Sequence, residues 1–241
     1  LRGPHGIHRL MIRCHPALPQ VHVLVRGAPL PEGLLDLCAN DPRITGLSQQ
    51  AEKTGAYQTL YGEDHLLLTL AGIPHRIRHD AFFQVHSEQA ERLVQTAMDW
   101  IREQPPGHLL DLFSGAGAFT LPAAALSVKV LGIDNTPGKG PFLAADLSKG
   151  LPNNRELQKT RWDTVLTDPP RAGMEKRLCK EIRDQLKPRR VLYISCNPAT
   201  LARDLSRLCH EGAYRLLRAE GFDLFPQTTH VETLALLERV P

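Results

Sequence analysis

Cys196 stands in Tyr193-Ile194-Ser195-Cys196-Asn197-Pro198-Ala199-Thr200, where an apolar run predicts a strand. Asn197 followed by Pro198 predicts a capped helix that continues through Leu201, Leu205 and Leu208. A cysteine at a strand end beside a helix N-terminus sits in a field that favours the thiolate, the nucleophilic form. The same position is open to the commoner role of a free cysteine, a small buried hydrophobe. A second group is Leu109-Leu110-Asp111-Leu112-Phe113-Ser114-Gly115-Ala116-Gly117-Ala118-Phe119-Thr120, which reads as a buried strand, a glycine turn and a helix start. Glycines there let a ligand approach the backbone closely. Such turns serve many cofactors, but Asp134 closes the next strand, where a carboxylate can accept hydrogen bonds from ribose hydroxyls. Together they predict a nucleoside-type cofactor. The third group is Thr167-Asp168-Pro169-Pro170-Arg171. Two consecutive prolines supply no ladder donors, so the strand must stop there, as a rigid crevice edge or as a plain turn.

These residues need a sheet to bring them together. Strand-like runs at 109–113, 128–133, 164–167 and 191–195 alternate with helical stretches, the pattern of a parallel sheet covered on both faces. Two further strands are expected at 214–218 and 230–238. A helix is expected over 87–103, with Ser87 as N-cap, apolar Ala90, Leu93, Val94, Ala97, Met98 and Ile101 on one face, and Pro105-Pro106 as its stop. Before about residue 78 the pattern changes to short alternating runs such as 21–25 and 66–70 between turn-rich pieces. That spacing predicts an antiparallel sheet with one helix near 32–39, an α+β subdomain. Seven of the 11 histidines fall before residue 80, at no ligand spacing, and no metal site is expected.

With 241 residues, 42% hydrophobic and 23% charged, the composition excludes disorder for most of the chain. It has no apolar run fit to span a bilayer, and the first 30 residues lack a signal-peptide core. The five cysteines (Cys14, Cys38, Cys179, Cys196, Cys209) include no C-x-x-C pair, which argues against a disulfide framework or zinc and for a reducing, cytoplasmic setting. The net charge of +3 says little, but 12 basic against 6 acidic residues lie between Arg171 and Glu220. That stretch is either a set of solvated helix faces or a phosphate-contacting surface.

Read together, the motifs resemble the uracil-5 RNA methyltransferase family. The resemblance is carried by Phe82-Phe83-Gln84-Val85, the 111–122 stretch, Asp168-Pro169-Pro170-Arg171-Ala172-Gly173, Ser195-Cys196-Asn197-Pro198-Ala199-Thr200-Leu201 and Phe225-Pro226-Gln227-Thr228-Thr229-His230-Val231-Glu232, in family order. It implies a class I S-adenosylmethionine-dependent methyltransferase, an α/β Rossmann-like fold with a mostly parallel seven-stranded sheet, preceded by a small α+β central subdomain. The implied division is 1–80 for an RNA-facing subdomain and 81–241 for the catalytic domain. It implies cofactor contacts at Gln84, Phe113, Gly115, Asp134, Asp146 and Asp168, with Cys196 as nucleophile and Glu232 as general base. The implied partner is RNA, with 23S rRNA favoured over tRNA, acted on by a monomer. The basic stretch then becomes an RNA backbone surface, including Arg203 and Arg207 on one helical face.

Some positions depart from the family pattern. Ser114, Ala118 and His86 replace residues the family often carries as Cys, Asn and Asn. Only 11 residues separate Asp134 from Asp146, both expected at strand ends, whereas a parallel crossover needs about a dozen or more. About one helix, on the order of 15 residues, is therefore expected to be missing near 137–140. The N-terminal RNA-binding domain of many family members, and the iron–sulfur cluster of some, are expected only upstream of Leu1. Competing readings are weaker. An amino-group methyltransferase normally follows Asp-Pro-Pro with an aromatic residue, where Arg171 stands here, and a cytosine-C5 enzyme would carry a cysteine in that motif. A non-catalytic RNA- or cofactor-binding module would have no reason to keep both Cys196 and Glu232.

Overall fold

The computed structural model describes residues 7–27, 30–51, 55–78, 86–126, 128–135 and 140–241. The chain divides into two compact units, Leu1–Thr69 with Pro74–Phe83, and Leu70–Ile73 with Gln84–Pro241.

The first unit is built on β1 (Ile7–Cys14), β2 (Val21–Gly27), α1 (Leu34–Asn40), β3 (Ile44–Gln50) and β4 (Tyr57–Gly62), followed by the strand pair β5 (His65–Leu70) and β6 (Ile73–Arg78). The four-stranded sheet has the order β1-β2-β3-β4. Val23, Val25 and Leu47 form its core with Cys38 of α1. The expected helix is present, but the sheet is mixed rather than antiparallel: β1/β2 and β3/β4 run antiparallel, while β2 and β3 are parallel. The cause is α1 itself, because a helix carrying the chain back across a sheet returns the next strand in the same direction.

In the second unit α2 (Ser87–Glu103) lays Ala90, Leu93, Val94, Ala97, Met98, Trp100 and Ile101 into the core at helical spacing. Its N-cap is His86, whose ring nitrogen accepts from Gln89 N, so the cap falls one residue earlier than the expected Ser87. Then come β7 (His108–Leu112), α3 (Thr120–Ala125), β8 (Lys129–Asp134), β9 (Phe142–Ala144), α4 (Arg155–Lys159), β10 (Thr164–Thr167) and α5 (Lys176–Glu181), prolonged by a π turn. β11 (Arg190–Ser195), α6 (Pro198–Leu208), β12 (Tyr214–Phe222) and β13 (Glu232–Arg239) complete the chain. The seven strands order as β12-β13-β11-β10-β7-β8-β9. Only β13 runs against its neighbours, antiparallel to β11 and β12. Leu110, Leu112, Val165, Val191 and Tyr193 are shut into the core, as the near-continuous apolar runs of a two-face-covered sheet require.

Strand order reverses between β7 and β10, which opens a crevice at the carboxyl ends of the strands. Of the 137–140 stretch where a segment is expected to be missing, 137–139 lie outside the described residues; on its far side β9 pairs parallel with β8, Gly132 opposite Phe142. Among the described residues no helix is long and apolar enough to cross a membrane.

Candidate active site at the carboxyl edge of the sheet

β7 delivers the chain into a tight turn. Phe113 adopts φ +62°, a conformation costly for a bulky L-residue and one that concentrates at functional sites. Gly115 follows at φ +52°, and a Cβ added there would meet nothing within 4 Å, so the turn faces open space. Its N–H donates to Asp134 Oδ2 at 3.1 Å, joining the two strand ends named from the sequence. Beneath them Asp111 is fully buried; its Oδ2 accepts from the Thr120 hydroxyl at 2.5 Å, while Oδ1 has no partner. Burial, and then the charges of Asp168 and Asp134, push its carboxyl up to about 8. Burial likewise pushes Asp168, at the end of β10, up to about 7. Neither has a cationic partner among the described residues. Carboxyl groups held this way, beside an open glycine turn, suit a cationic ligand that carries ribose hydroxyls, which is the chemistry of S-adenosylmethionine.

Asp146 is placed differently. It caps a single turn after β9, accepting from the N and Oγ of Ser148 at 3.1 and 2.6 Å and facing Lys149 Nζ at 3.1 Å. These donors, Ser148 first, hold its carboxyl below the usual range. No hydrogen bond among the described residues joins it to Asp111, Asp134 or Asp168. Gln84 and the rest of 82–85 lie outside the described residues.

On the other side of Asp168 stands Cys196. Asn197 accepts from Ala199 N at 3.0 Å and starts α6 with Pro198 in its first turn, as the spacing predicts. β11 and β13 pair in register down to Ser195 opposite Thr233, so Cys196 and Glu232 each stand one step beyond that pair. Glu232 is 3% exposed, without a hydrogen bond or ion pair among the described residues. Burial, then the charge of Asp168, push it up to about 8. The expectation that the helix N-terminus favours the Cys196 thiolate is corrected here. The thiol is pushed up by burial and by the Glu232 and Asp168 carboxylates, which outweigh its own backbone N–H and the Arg171 guanidinium.

Arg203 and Arg207 stay 41% and 31% exposed while their guanidiniums also brace the 172–174 loop. Arg203 Nη2 donates to Ala172 O at 2.8 Å, Arg207 Nη1 to Met174 O at 3.1 Å, and both pair with Asp204. Asp204, fully buried, also accepts from Met174 N and from the Tyr193 hydroxyl, each at 2.7 Å. Gly173 (φ +75°) is enforced by this clamp, because a Cβ there would lie 2.4 Å from Asp204 Oδ2. The clamp fixes the loop that carries Arg171, whose Nη2 lies 3.1 Å from His230 Nε2. Sequence reasoning missed Asp204 and Tyr193. The available signal was a carboxylate at 204, spaced by three and four residues from Leu201 and Leu208 on the buried face of α6.

The strand order, the direction of β13 and the acidic crevice together define a class I S-adenosylmethionine-dependent methyltransferase fold. A solved structure of the Pyrococcus abyssi tRNA (uracil-54, C5)-methyltransferase in complex with S-adenosyl-L-homocysteine superposes with a TM-score of 0.77 at 25% identity, over 96% of this chain and 59% of that one. Residues 151–240 match the tRNA (Uracil-5-)-methyltransferase family model. The 23S rRNA (uracil(747)-C(5))-methyltransferase RlmC of Shewanella loihica is 33% identical over all of this chain and 65% of its own length. The 23S rRNA (uracil(1939)-C(5))-methyltransferase RlmD of Marinomonas sp. is 41% identical over 66% of this chain and 38% of its own length. The chain thus spans between about a third and two thirds of the length of these relatives. Its likeness is to the uracil-5 RNA methyltransferases, and among them to the 23S rRNA branch.

Proposed function

We propose that this chain transfers a methyl group from S-adenosylmethionine to C5 of a uridine in 23S rRNA through a covalent adduct with Cys196. The observation that carries this reading is that Cys196, the first residue past β11, and Glu232, the first residue of β13, each stand one step beyond the Ser195–Thr233 pair, with the charge of Asp168 acting on both. Phe113, Gly115, Asp134 and Asp168, with Gln84 and Asp146, would hold the cofactor, which when bound supplies an electrophilic methyl group. Uracil C5 is a weak nucleophile. Addition of the Cys196 thiolate to C6 forms the S–C6 bond and moves the C5–C6 π electrons into an enolate, making C5 nucleophilic. Once C5 carries the methyl group, the Glu232 carboxylate accepts the C5 proton, the C5–C6 double bond re-forms, the S–C6 bond breaks and the thiolate leaves. A carboxyl group raised to about 8 suits the base role, since its conjugate form takes a proton readily near neutral pH.

The 23S rRNA substrate is favoured by relatives at 33% and 41% identity; a tRNA uridine is the second reading, favoured by the archaeal structure at 25%. Methyl transfer from labelled cofactor into unmodified total RNA, followed by mapping of the labelled nucleotide, separates them. Label in 5-methyluridine of 23S rRNA is expected; label confined to tRNA overturns the substrate, and no 5-methyluridine overturns the reaction. We assign residues 1–80 to an RNA-facing subdomain and 81–241 to the catalytic domain of a cytoplasmic monomer. We place a missing helix near 137–140; the RlmC match runs over 263 positions against 241 residues here, so at least 22 positions of the relative lack a counterpart somewhere along this chain.

A further inference from the structure

The sequence placed an excess of cations between Arg171 and Glu220, and the structure uses most of them internally. Arg177, Arg183, Arg190, Arg203, Arg207, Arg215 and Arg218 all have a carboxylate within 4.0 Å. Lys187 and Arg189 have none among the described residues. They lead into β11 at the amino-terminal edge of the sheet, opposite Cys196, and line a cleft of about 520 Å³ with Arg161, Arg239 and Asp163. The side chains of Arg161 and Lys187 make no hydrogen bond or ion pair among the described residues. Among the described residues the Arg189 guanidinium reaches the carbonyl of Gln104 alone, at 3.4 Å. Arg239 lends Nη1 to the carbonyl of Arg183 and the hydroxyl of Tyr214, at 3.0 and 3.3 Å. The single acidic side chain of the cleft, Asp163, spends Oδ2 on the backbone N–H groups of Gly107 and His108, at 2.9 and 3.0 Å. Four cationic side chains against one acidic side chain, on an open wall, make a polyanion site rather than a small-molecule pocket.

We propose that this cleft is a second RNA contact, which takes backbone phosphates of the substrate at the edge of the sheet opposite the target uridine. The proposal rests on the RNA-methyltransferase reading for its choice of polyanion. The six residues of β11 separate the two edges by roughly 20 Å. A short oligonucleotide seated at Cys196 does not span that distance, whereas a folded RNA does, with a charge on every nucleotide. Contacts of this kind position the substrate without reading its sequence.

The test compares the wild-type chain with the triple variant Arg161→Ala, Lys187→Ala, Arg189→Ala and with the charge-preserving triple Arg161→Lys, Lys187→Arg, Arg189→Lys. Filter binding is measured against a 23S rRNA fragment and against poly(A) of similar length, over a range of salt. The alanine triple is expected to bind both RNAs about tenfold more weakly at low salt, with a log–log salt slope shallower by about 2. Its turnover on saturating rRNA fragment is expected to be unchanged, and the charge-preserving triple to bind as wild type does. Unchanged affinity and slope in the alanine triple overturn the proposal, as does a loss shared by the charge-preserving triple. The two readings fail separately. A wild-type chain that binds both RNAs through this cleft yet methylates neither overturns the catalytic reading alone. A chain that methylates the fragment, and whose alanine triple binds normally, overturns the cleft alone.

Discussion

Two sets of buried acids sit within one seven-stranded domain, and the fold treats them oppositely. Asp204 is fully buried, and both its oxygens are saturated by Arg203, Arg207, the Met174 N–H and the Tyr193 hydroxyl. Asp111 is as deeply buried but has one donor and one empty oxygen, and Glu232 has no partner among the described residues. Burying a carboxylate costs several kcal/mol unless neighbours answer the charge. Where the fold answers it, the acid is scaffold. Where the fold leaves it short of partners, something other than stability holds it there, and here that place is the crevice mouth. The sets are coupled through the chain: the loop clamped by Asp204 begins just after Asp168 and carries Arg171.

Variants at the two ends of this contrast should fail in different currencies, activity on one side and stability on the other. The largest effect is expected from Cys196→Ala: no covalent RNA adduct and methyl transfer lowered on the order of 10⁴-fold or more, with the melting temperature unchanged. Appreciable turnover in that variant, measured by label incorporation, would break the assignment. Glu232→Gln is next, with turnover lower by about 10² to 10⁴-fold and a covalent protein–RNA adduct accumulating on denaturing gels, because the C5 proton can no longer leave. Absence of an adduct despite intact RNA binding removes Glu232 from the base role.

The scaffold acid should behave in the reverse manner. Asp204→Ala leaves Arg203, Arg207, the Tyr193 hydroxyl and the Met174 N–H short of their acceptor, and a loss of about 3–5 kcal/mol is expected in urea unfolding. Gly173→Ala attacks the same clamp by forcing a Cβ into Asp204 and Arg203 from a left-handed backbone, with an expected loss of about 1–3 kcal/mol. If Asp204→Ala unfolds at the wild-type urea midpoint while losing methyl transfer, the division into scaffold and functional acids is wrong.

Much of the proposed functional set was legible in the sequence because its signals are local. Apolar runs mark the parallel strands, prolines and glycines mark where they stop, and Cys196, Asp134 and Asp168 stand at those stops. What was illegible depends on partners far away in the chain. The direction of β3 follows from how α1 carries the chain across the sheet. The occupation of Arg203 and Arg207 follows from carbonyls about 30 residues earlier. The amino-edge cleft joins residues 161, 163, 187, 189 and 239, which no spacing rule connects. The direction of the Cys196 shift was misread for a related reason: the helix terminus is visible in the sequence, but the burial and the two carboxylates that outweigh it appear only in the assembled sheet.

The smallest expected effect is also the most direct measure of the contrast, because it reads the unanswered acids without any substrate. Asp111, Asp168 and Glu232 are raised from the usual carboxylate range to about 8, 7 and 8. The folded chain therefore holds protons that the unfolded chain has released. Their contribution to stability is complete below about pH 4 and is lost as the pH climbs through 7 to 8. The melting temperature of the ligand-free chain should fall between pH 5 and 9, and S-adenosylmethionine should stabilise it more at the upper end, where the carboxylates are charged. Asp111→Asn puts a neutral group in the same shape and should flatten the fall, raising stability at pH 8 by about 1 kcal/mol while weakening cofactor binding. A melting temperature that is level or rising across that range, or an Asp111→Asn variant less stable than wild type at pH 8, would mean that these acids are answered after all and that the contrast with Asp204 is one of geometry alone.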